Sequence, residues 1–463
     1  MSKASVLGSS TSDPHLLGTG DIKKLLLQYS LPAITGMIVT ALYHIIDSIF
    51  VGHGIGSLAI SAMAATFPIM NIMAAFSTLI GVGGATLTSI RLGKKDEEGA
   101  ASILGHVALL NTINSVILSG VTIIFLDPIL RMFGASDALL PYARDFMEVI
   151  LIGYPISFVF LGLNNIMRVS GYPKKAMQSS FLTVAINVVL APLFIFGFKW
   201  GMRGTALATV ISQFAGLVWV MSHFLNKNNY IHFTKGFKFS FSTVKQMLAI
   251  GLSPFLMNMA SSLVVSIINL SLTRYGGDLA IGAYGIINRI LTLFLMIVVG
   301  ITMGMQPVAG YNYGAKKMNR AFSVLKYSLI GGVTVTTIGF LLSELFPRTI
   351  VSMFTTDQEL IDISVKGLRL SFAMFPLVGA QVVISNFFQT VGKPKISIFL
   401  SLTRQLIFLI PFLFILPKYF GLAGVFSSIP SADLIAFIIS TSTLFYQFNK
   451  VKKEYNFNGK AKI

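Results

Sequence analysis

The chain has no cysteine, which excludes disulfides, thiolate metal sites and cysteine nucleophiles. Charge is scarce: charged residues make up 11% of the sequence, against about a quarter in soluble domains. Carboxylates are the rarer sign, 17 Asp and Glu against 35 Lys and Arg. No G-x-x-x-x-G-K-[ST] phosphate loop occurs, and no loop is long enough for a nucleotide domain, so a nucleotide-driven pump is excluded. The six histidines show no ligand spacing, and no paired His/Asp or Ser/Lys centre is visible. These absences argue against an enzyme and against a bound cofactor. The first 20 residues lack an apolar stretch, so a polar tail is expected rather than a cleavable signal peptide.

What is present is oil. Hydrophobic residues are 54% of 463, with 41 glycines and 38 phenylalanines spread along the chain and a mean hydropathy of +0.77. A bilayer-spanning helix needs about 20 apolar residues. Apolar stretches bounded by Gly, Pro or charge give twelve spans, at 28–51, 57–90, 100–126, 138–168, 173–197, 203–226, 244–275, 278–312, 319–346, 358–390, 394–416 and 421–448. None alternates with the period of a barrel strand. The fold class is therefore an all-α polytopic membrane protein.

The net charge of +18 would suggest nucleic acid in a soluble chain. Here the basic residues fall in short runs between spans, so the lipid bilayer is the partner and nucleic acid is not. With the first residue inside, the inner segments hold twenty-four Lys and Arg and the outer loops six. That asymmetry places both termini in the cytoplasm of a plasma (inner) membrane protein.

A repeat organises the spans. A shift of 221 residues aligns LAISA (58–62) with LAIGA (279–283). It also pairs Gly93 and Lys95 with Gly314 and Lys316, and Pro155, Gly171 and Lys174 with Pro376, Gly392 and Lys395. Two six-helix lobes of like orientation follow, an architecture of secondary transporters. The expected organisation is a cytoplasmic tail and helix entrance (1–27), an amino lobe (28–226), a basic aromatic linker (227–243), a carboxy lobe (244–448) and a basic cytoplasmic tail (449–463).

Transport work must then come from an ion gradient, and intramembrane ionisable groups are the candidates to couple it. Asp47, in TALYHIIDSIF (40–50), lies nineteen residues into span 1, roughly 28 Å along it. A carboxylate there can bind and release a proton or contribute to a Na+ site. Tyr43 is four residues earlier on the same face. Arg404 in span 11 and Asp433 in span 12 each lie roughly 18 Å from opposite ends. They would meet if their faces match, either to lock two helices or to gate. Arg289 in span 8 and Arg369 in span 10 are further candidates, facing a cavity or pairing with helix dipoles. Phe and Met lining a cavity would suit flat apolar substrates, because Met repacks readily.

The segments YHIIDSIFVG (43–52), INVVLAPLFIFGF (186–198), GTALATVIS (204–212) and especially QPVAGYNYGAKK (306–317) resemble the multidrug and toxic compound extrusion family over essentially the whole chain. They look most like prokaryotic members with the key acid in the amino-terminal lobe. The resemblance implies a V-shaped cavity and antiport of cationic drugs against H+ or Na+. It carries the amino-lobe polar cluster onto Tyr43, Asp47, Asn164, Asn187 and Thr209, with Asp47 and Asn187 as ligands if the ion is Na+. One departure stands out: Ala191 occupies the position, four residues after Asn187, where relatives have a second aspartate. LSPFLMNMASSL (252–263) also lacks the acid that some members place in span 7.

The expected function is a secondary active multidrug efflux antiporter, working as a monomer by alternating access on amphiphilic, cationic small molecules. The alternative is a flippase for lipid-linked intermediates from the same structural superfamily; fourteen helices and a markedly cationic cavity would favour it.

Overall fold

The computed structural model describes residues 14–234 and 237–454. The first thirteen residues of the expected amino-terminal tail and the last nine of the carboxy-terminal tail lie outside the described residues. Within them the chain is helical, with no strand.

Six helices build the first half: α1 (Ile22–Gly54), α2 (Ser57–Gly93), α3 (Glu97–Ile124), α4 (Leu140–Val169), α5 (Pro173–Pro192, prolonged by a π-helical turn, Leu193–Gly197) and α6 (Gly201–Leu225). The second half starts with a helical run from Phe241 to Gly314, 74 residues long. At 1.5 Å per residue that run would reach about 110 Å, several bilayers deep, so it cannot be one crossing. It breaks at Gly277 (φ 65°, ψ −162°) into α7 (Phe241–Gly277) and α8 (Leu279–Gly314). After α9 (Met318–Leu345) comes α10, whose two parts, Gln358–Phe372 and Phe375–Thr390, are bent by 50°. The 59-residue stretch Pro394–Lys452 is broken at Gly421 (φ 56°, ψ −134°), giving α11 (394–420) and α12 (422–454). Twelve spans result among the described residues.

Polar caps set several helix starts on the side that carries the linker. Asp21, Asp96 and Ser240 accept the N–H of the residue three positions on, satisfying donors the helix leaves open. Spans 3 and 10 differ from the sequence expectation. α3 stops at Ile124 and a separate short helix, Leu126–Met132, follows. The tenth span is bent because Pro376 has no N–H to give Phe372 and so interrupts the ladder. Its repeat mate Pro155 leaves α4 continuous. The linker is also shorter than expected, with α7 beginning at Phe241.

The repeat is visible in the backbone itself. Positive φ angles occur at Gly56 and Gly277, at Lys95 and Lys316 and at Gly171 and Gly392, each pair 221 residues apart, and at Lys199 and Gly421, 222 apart. Corresponding turns of the two halves place a positive-φ residue at the same position.

The chain divides into two compact units. The first comprises Met1–Phe255, Met303–Val324 and Thr390–Gly392, and so includes the start of α7 and the end of α8. Inside it α2 packs on both through glycines. A Cβ on Gly93 would fall 2.0 Å from the Tyr311 carbonyl oxygen, and one on Gly314 would fall 2.1 Å from that of Ile90. Ile90 and Tyr311 are themselves repeat mates, so the contact is reciprocal. The apolar core of this unit runs through Met73, Met147, Leu151 and Phe158. The second unit comprises Leu256–Thr302, Leu325–Gln389 and Lys393–Ile463, with a core around Ile287, Leu368, Phe372 and Phe426.

Candidate ion-coupling site

The first unit brings α1, α5 and α6 together around one hydroxyl. Thr209 on α6 donates to the Thr205 carbonyl oxygen at 3.2 Å, the usual bond of a helical threonine. Its proton thus used, its oxygen has only lone pairs left. They accept from the Asn187 amide nitrogen of α5 at 3.2 Å and from the Tyr43 phenol of α1, which is 3.1 Å away. Three helices are tied at a single atom.

Asp47 lies one turn beyond Tyr43 on the same face of α1. Its side chain is buried, at 5% exposure, and Oδ1 meets no hydrogen-bond partner among the described residues. Asn187 is buried as well, at 3%. One turn on from Asn187, Ala191 is fully enclosed by Phe194, Ala208 and the partly buried Phe50. The site where a second acid would stand is therefore apolar and closed. An unpartnered carboxylate oxygen in such surroundings costs several kcal/mol unless a proton or a cation joins it. The arrangement can bind one positive charge and release it.

Asn164 makes its bonds elsewhere. Its amide nitrogen donates to Ser179 Oγ at 2.5 Å and to the Ala176 carbonyl at 3.0 Å, and its oxygen accepts from Arg168 at 3.3 Å. Ser179 precedes Asn187 by eight residues, about 12 Å along α5. Asn164 thus serves a second polar joint, between α4 and α5. Asn164 makes that joint, and Arg168, one turn later on α4, backs it and also donates to Asn165 at 3.2 Å. Sequence analysis counted Arg168 only among the inner-side basic residues, although Asn165 and Asn164 stand three and four positions before it on the same helix.

In the second unit Arg404 Nε donates to Asp433 Oδ1 at 2.5 Å, and the two side chains are 19% and 2% exposed. Arg404 sits in a π-helical segment of α11, Thr403–Leu409, where the widened turn re-aims side chains. The neighbouring Gln405 donates to Ser261 Oγ of α7 at 2.8 Å. Arg289 is exposed on α8 and takes no part in the pair. Arg369 pairs with Glu344 at 3.6 Å. Among the described residues no group of three or more His, Cys, Asp or Glu is placed to hold a metal ion.

The model of the MatE family matches residues 32–193 and again residues 254–415, the second match starting 222 residues after the first. The chain belongs to the MatE family. Its halves are two copies of the MatE unit, and it is a multi-pass membrane protein. It is similar to the Multidrug export protein MepA of Staphylococcus haemolyticus (strain JCSC1435), 27% identical over 432 residues, which are 93% of this chain and 95% of the relative. MepA of Staphylococcus aureus (strain NCTC 8325 / PS 47) is 29% identical over 418 residues, 89% of this chain and 90% of the relative. Among solved structures, the MATE multidrug transporter DinF-BH, described in a complex, shares 34% identity at a TM-score of 0.85, covering 95% of this chain and 97% of its own. A multidrug resistance MATE family transporter described in its outward-facing conformation gives a TM-score of 0.90 at 25% identity, with 96% and 100% covered.

Proposed function

We propose that this MatE protein is a secondary active multidrug efflux antiporter that exports amphiphilic cationic compounds in exchange for H+ or Na+. The observation that carries the reading is the buried Asp47, with one carboxylate oxygen unpartnered among the described residues, a turn away from the Tyr43–Thr209–Asn187 joint. A proton on Asp47 neutralises it without further ligands. A Na+ ion would take Asp47 together with the neutral oxygens of Asn187, Tyr43 and Thr209. Either ion, entering from the outer side, discharges the carboxylate and favours the state that releases drug. Its loss to the inside recharges the site for the next cycle. Both termini lie in the cytoplasm on this reading, and one chain suffices.

The relatives named as multidrug exporters and multidrug transporters support the substrate class. Twelve spans rather than fourteen speak against the lipid-linked flippase alternative. Proteoliposomes loaded with an organic-cation dye, with H+ and Na+ gradients imposed separately, test the proposal. Dye movement should require one of the two gradients and run against it. Equal movement with neither gradient would overturn it.

A further inference from the structure

Two carboxylates are buried among the described residues, one in each half: Asp47, at 5% exposure, and Asp433, at 2%. Asp47 leaves Oδ1 without a partner among those residues. Asp433 is held instead by Arg404, whose Nε donates to its Oδ1 at 2.5 Å. The transport reading uses the first acid and gives the second no task.

Both acids stand at corresponding joints. In the first half Tyr43 of α1, Asn187 of α5 and Thr209 of α6 meet. In the second half the repeat mates of those helices, α7, α11 and α12, meet through Ser261, the adjacent Arg404 and Gln405, and Asp433. The repeat offset is 222 at the starts of the two matched units and after Lys199, and 221 between Gly171 and Gly392. Carried back by it, Ser261, Gln405 and Asp433 fall on positions 39, 184 and 211. These lie four residues before Tyr43, three before Asn187 and two after Thr209. α1 and α5 start on the linker side and α6 ends there, so all three steps lead toward that side, by roughly 3–6 Å. The second half thus builds the same three-helix joint within about one turn of the first. Its acid has changed helix: Asn269 of α7 stands where α1 has Asp47.

A carboxylate in either place calls for a positive charge. In the second half α11 supplies one, aimed at α12 by the widened turn of its π-helical segment. Gln405 commits its amide nitrogen to Ser261 at 2.8 Å and leaves Oε1 without a partner among the described residues. Tyr284 of α8 also lies within electrostatic reach of Arg404. A buried carboxylate in the same joint as an unengaged amide oxygen is a ligand set for a small hard cation. Here a guanidinium occupies the place of that cation. Resting on the antiport reading above, we infer that Arg404 is a tethered counter-ion that fills the ion position of the second half, so that the protein binds a single coupling ion, at Asp47. A pair serving only to lock α11 on α12 has no ion site behind it.

Removing the tether should uncover the site. Ion and drug oppose each other in the proposed cycle, so binding of an organic-cation dye should release the bound ion. Purified protein in detergent is mixed with dye, and the released protons or Na+ are counted, each in a separate experiment. The parent should release one ion per chain and Asp47→Asn none. Asp47→Asn/Arg404→Met should release one again, and adding Asp433→Leu should abolish it. Arg404→Lys in the Asp47→Asn background keeps the charge and should release none. No release from Asp47→Asn/Arg404→Met would overturn the tether, as would release from Asp47→Asn that Asp433→Leu removes. Stability gives a second measurement on the same forms. Acidification should lower the unfolding constant of Arg404→Met relative to Arg404→Met/Asp433→Leu by up to about tenfold per pH unit while the stranded carboxylate takes up its proton. If the site selects Na+, exchanging K+ for Na+ should lower it instead, and a ratio indifferent to both would equally overturn the tether. If dye releases neither ion from the parent, the antiport reading fails, while the ions bound before dye is added still decide the tether: Arg404→Met must hold one more than Arg404→Met/Asp433→Leu.

Discussion

Replacing Arg404 by methionine isolates the energetics of the second unit. Asp433 is 2% exposed and its Oδ1 accepts from Arg404 at 2.5 Å, so the substitution strands a carboxylate that water cannot reach. Removing one partner of a buried pair destabilises by about 3–5 kcal/mol, whereas replacing both by apolar residues of similar volume is near neutral or stabilising. Arg404→Met should therefore lower stability by about that amount, and Arg404→Met/Asp433→Leu should recover most of it. The internal control is Arg348, whose pair with Asp362 is 63% and 59% exposed. Arg348→Ala should cost at most about 1 kcal/mol. Unfolding of the purified protein in detergent, followed by intrinsic fluorescence against denaturant, ranks the four forms in one experiment. If Arg404→Met and the double variant unfold together, the carboxylate is hydrated in the folded protein and the argument from burial is wrong.

The other predictions concern the first unit. Gly314→Ala puts a methyl 2.1 Å from the Ile90 carbonyl oxygen, an impossible distance with backbone on the far side, so the ends of α2 and α8 must part. Low yield of monodisperse protein is expected, and a normal yield would show that the contact is loose. Thr209→Val removes the acceptor of both Asn187 and Tyr43 and should cost about 1–3 kcal/mol for the stranded groups. Gradient-driven dye efflux should fall with it, whereas Thr209→Ser should keep both stability and efflux; equal behaviour of the two would dissolve the three-helix joint.

Much of the architecture was legible because hydropathy and repetition are properties of the chain alone. The helical spans, the repeat of one half in the other and the paired turns at Lys95 and Lys316 all follow from local composition and a fixed offset. The bend in α10 was not legible, since Pro155 and Pro376 occupy matching positions and only one interrupts its helix. The equal depths of Arg404 and Asp433 can be counted in the sequence. Their contact depends on which faces of α11 and α12 turn inward, and a π-helical segment shifts that phase. Thr209 and Asn187 entered only through family resemblance, because neutral side chains at helical spacing look like any packed polar residue. Arg168 was passed over for another reason: its place at a helix end marked it as a topology charge, although Asn165 and Asn164 stand three and four residues before it on α4. Asn164 shows the reverse case: a residue assigned by resemblance whose hydrogen bonds lie about two turns of α5 from Asn187.

The claim on which the account turns is that one enclosed carboxylate exchanges the driving ion. Asp47→Asn keeps the shape of the side chain and removes its charge. Purified and reconstituted beside the parent, it should still bind the dye in an equilibrium assay but fail to move it when an H+ or a Na+ gradient is applied. Asp47→Asn protein that pumped dye at the parental rate under the parental gradient would contradict the account directly.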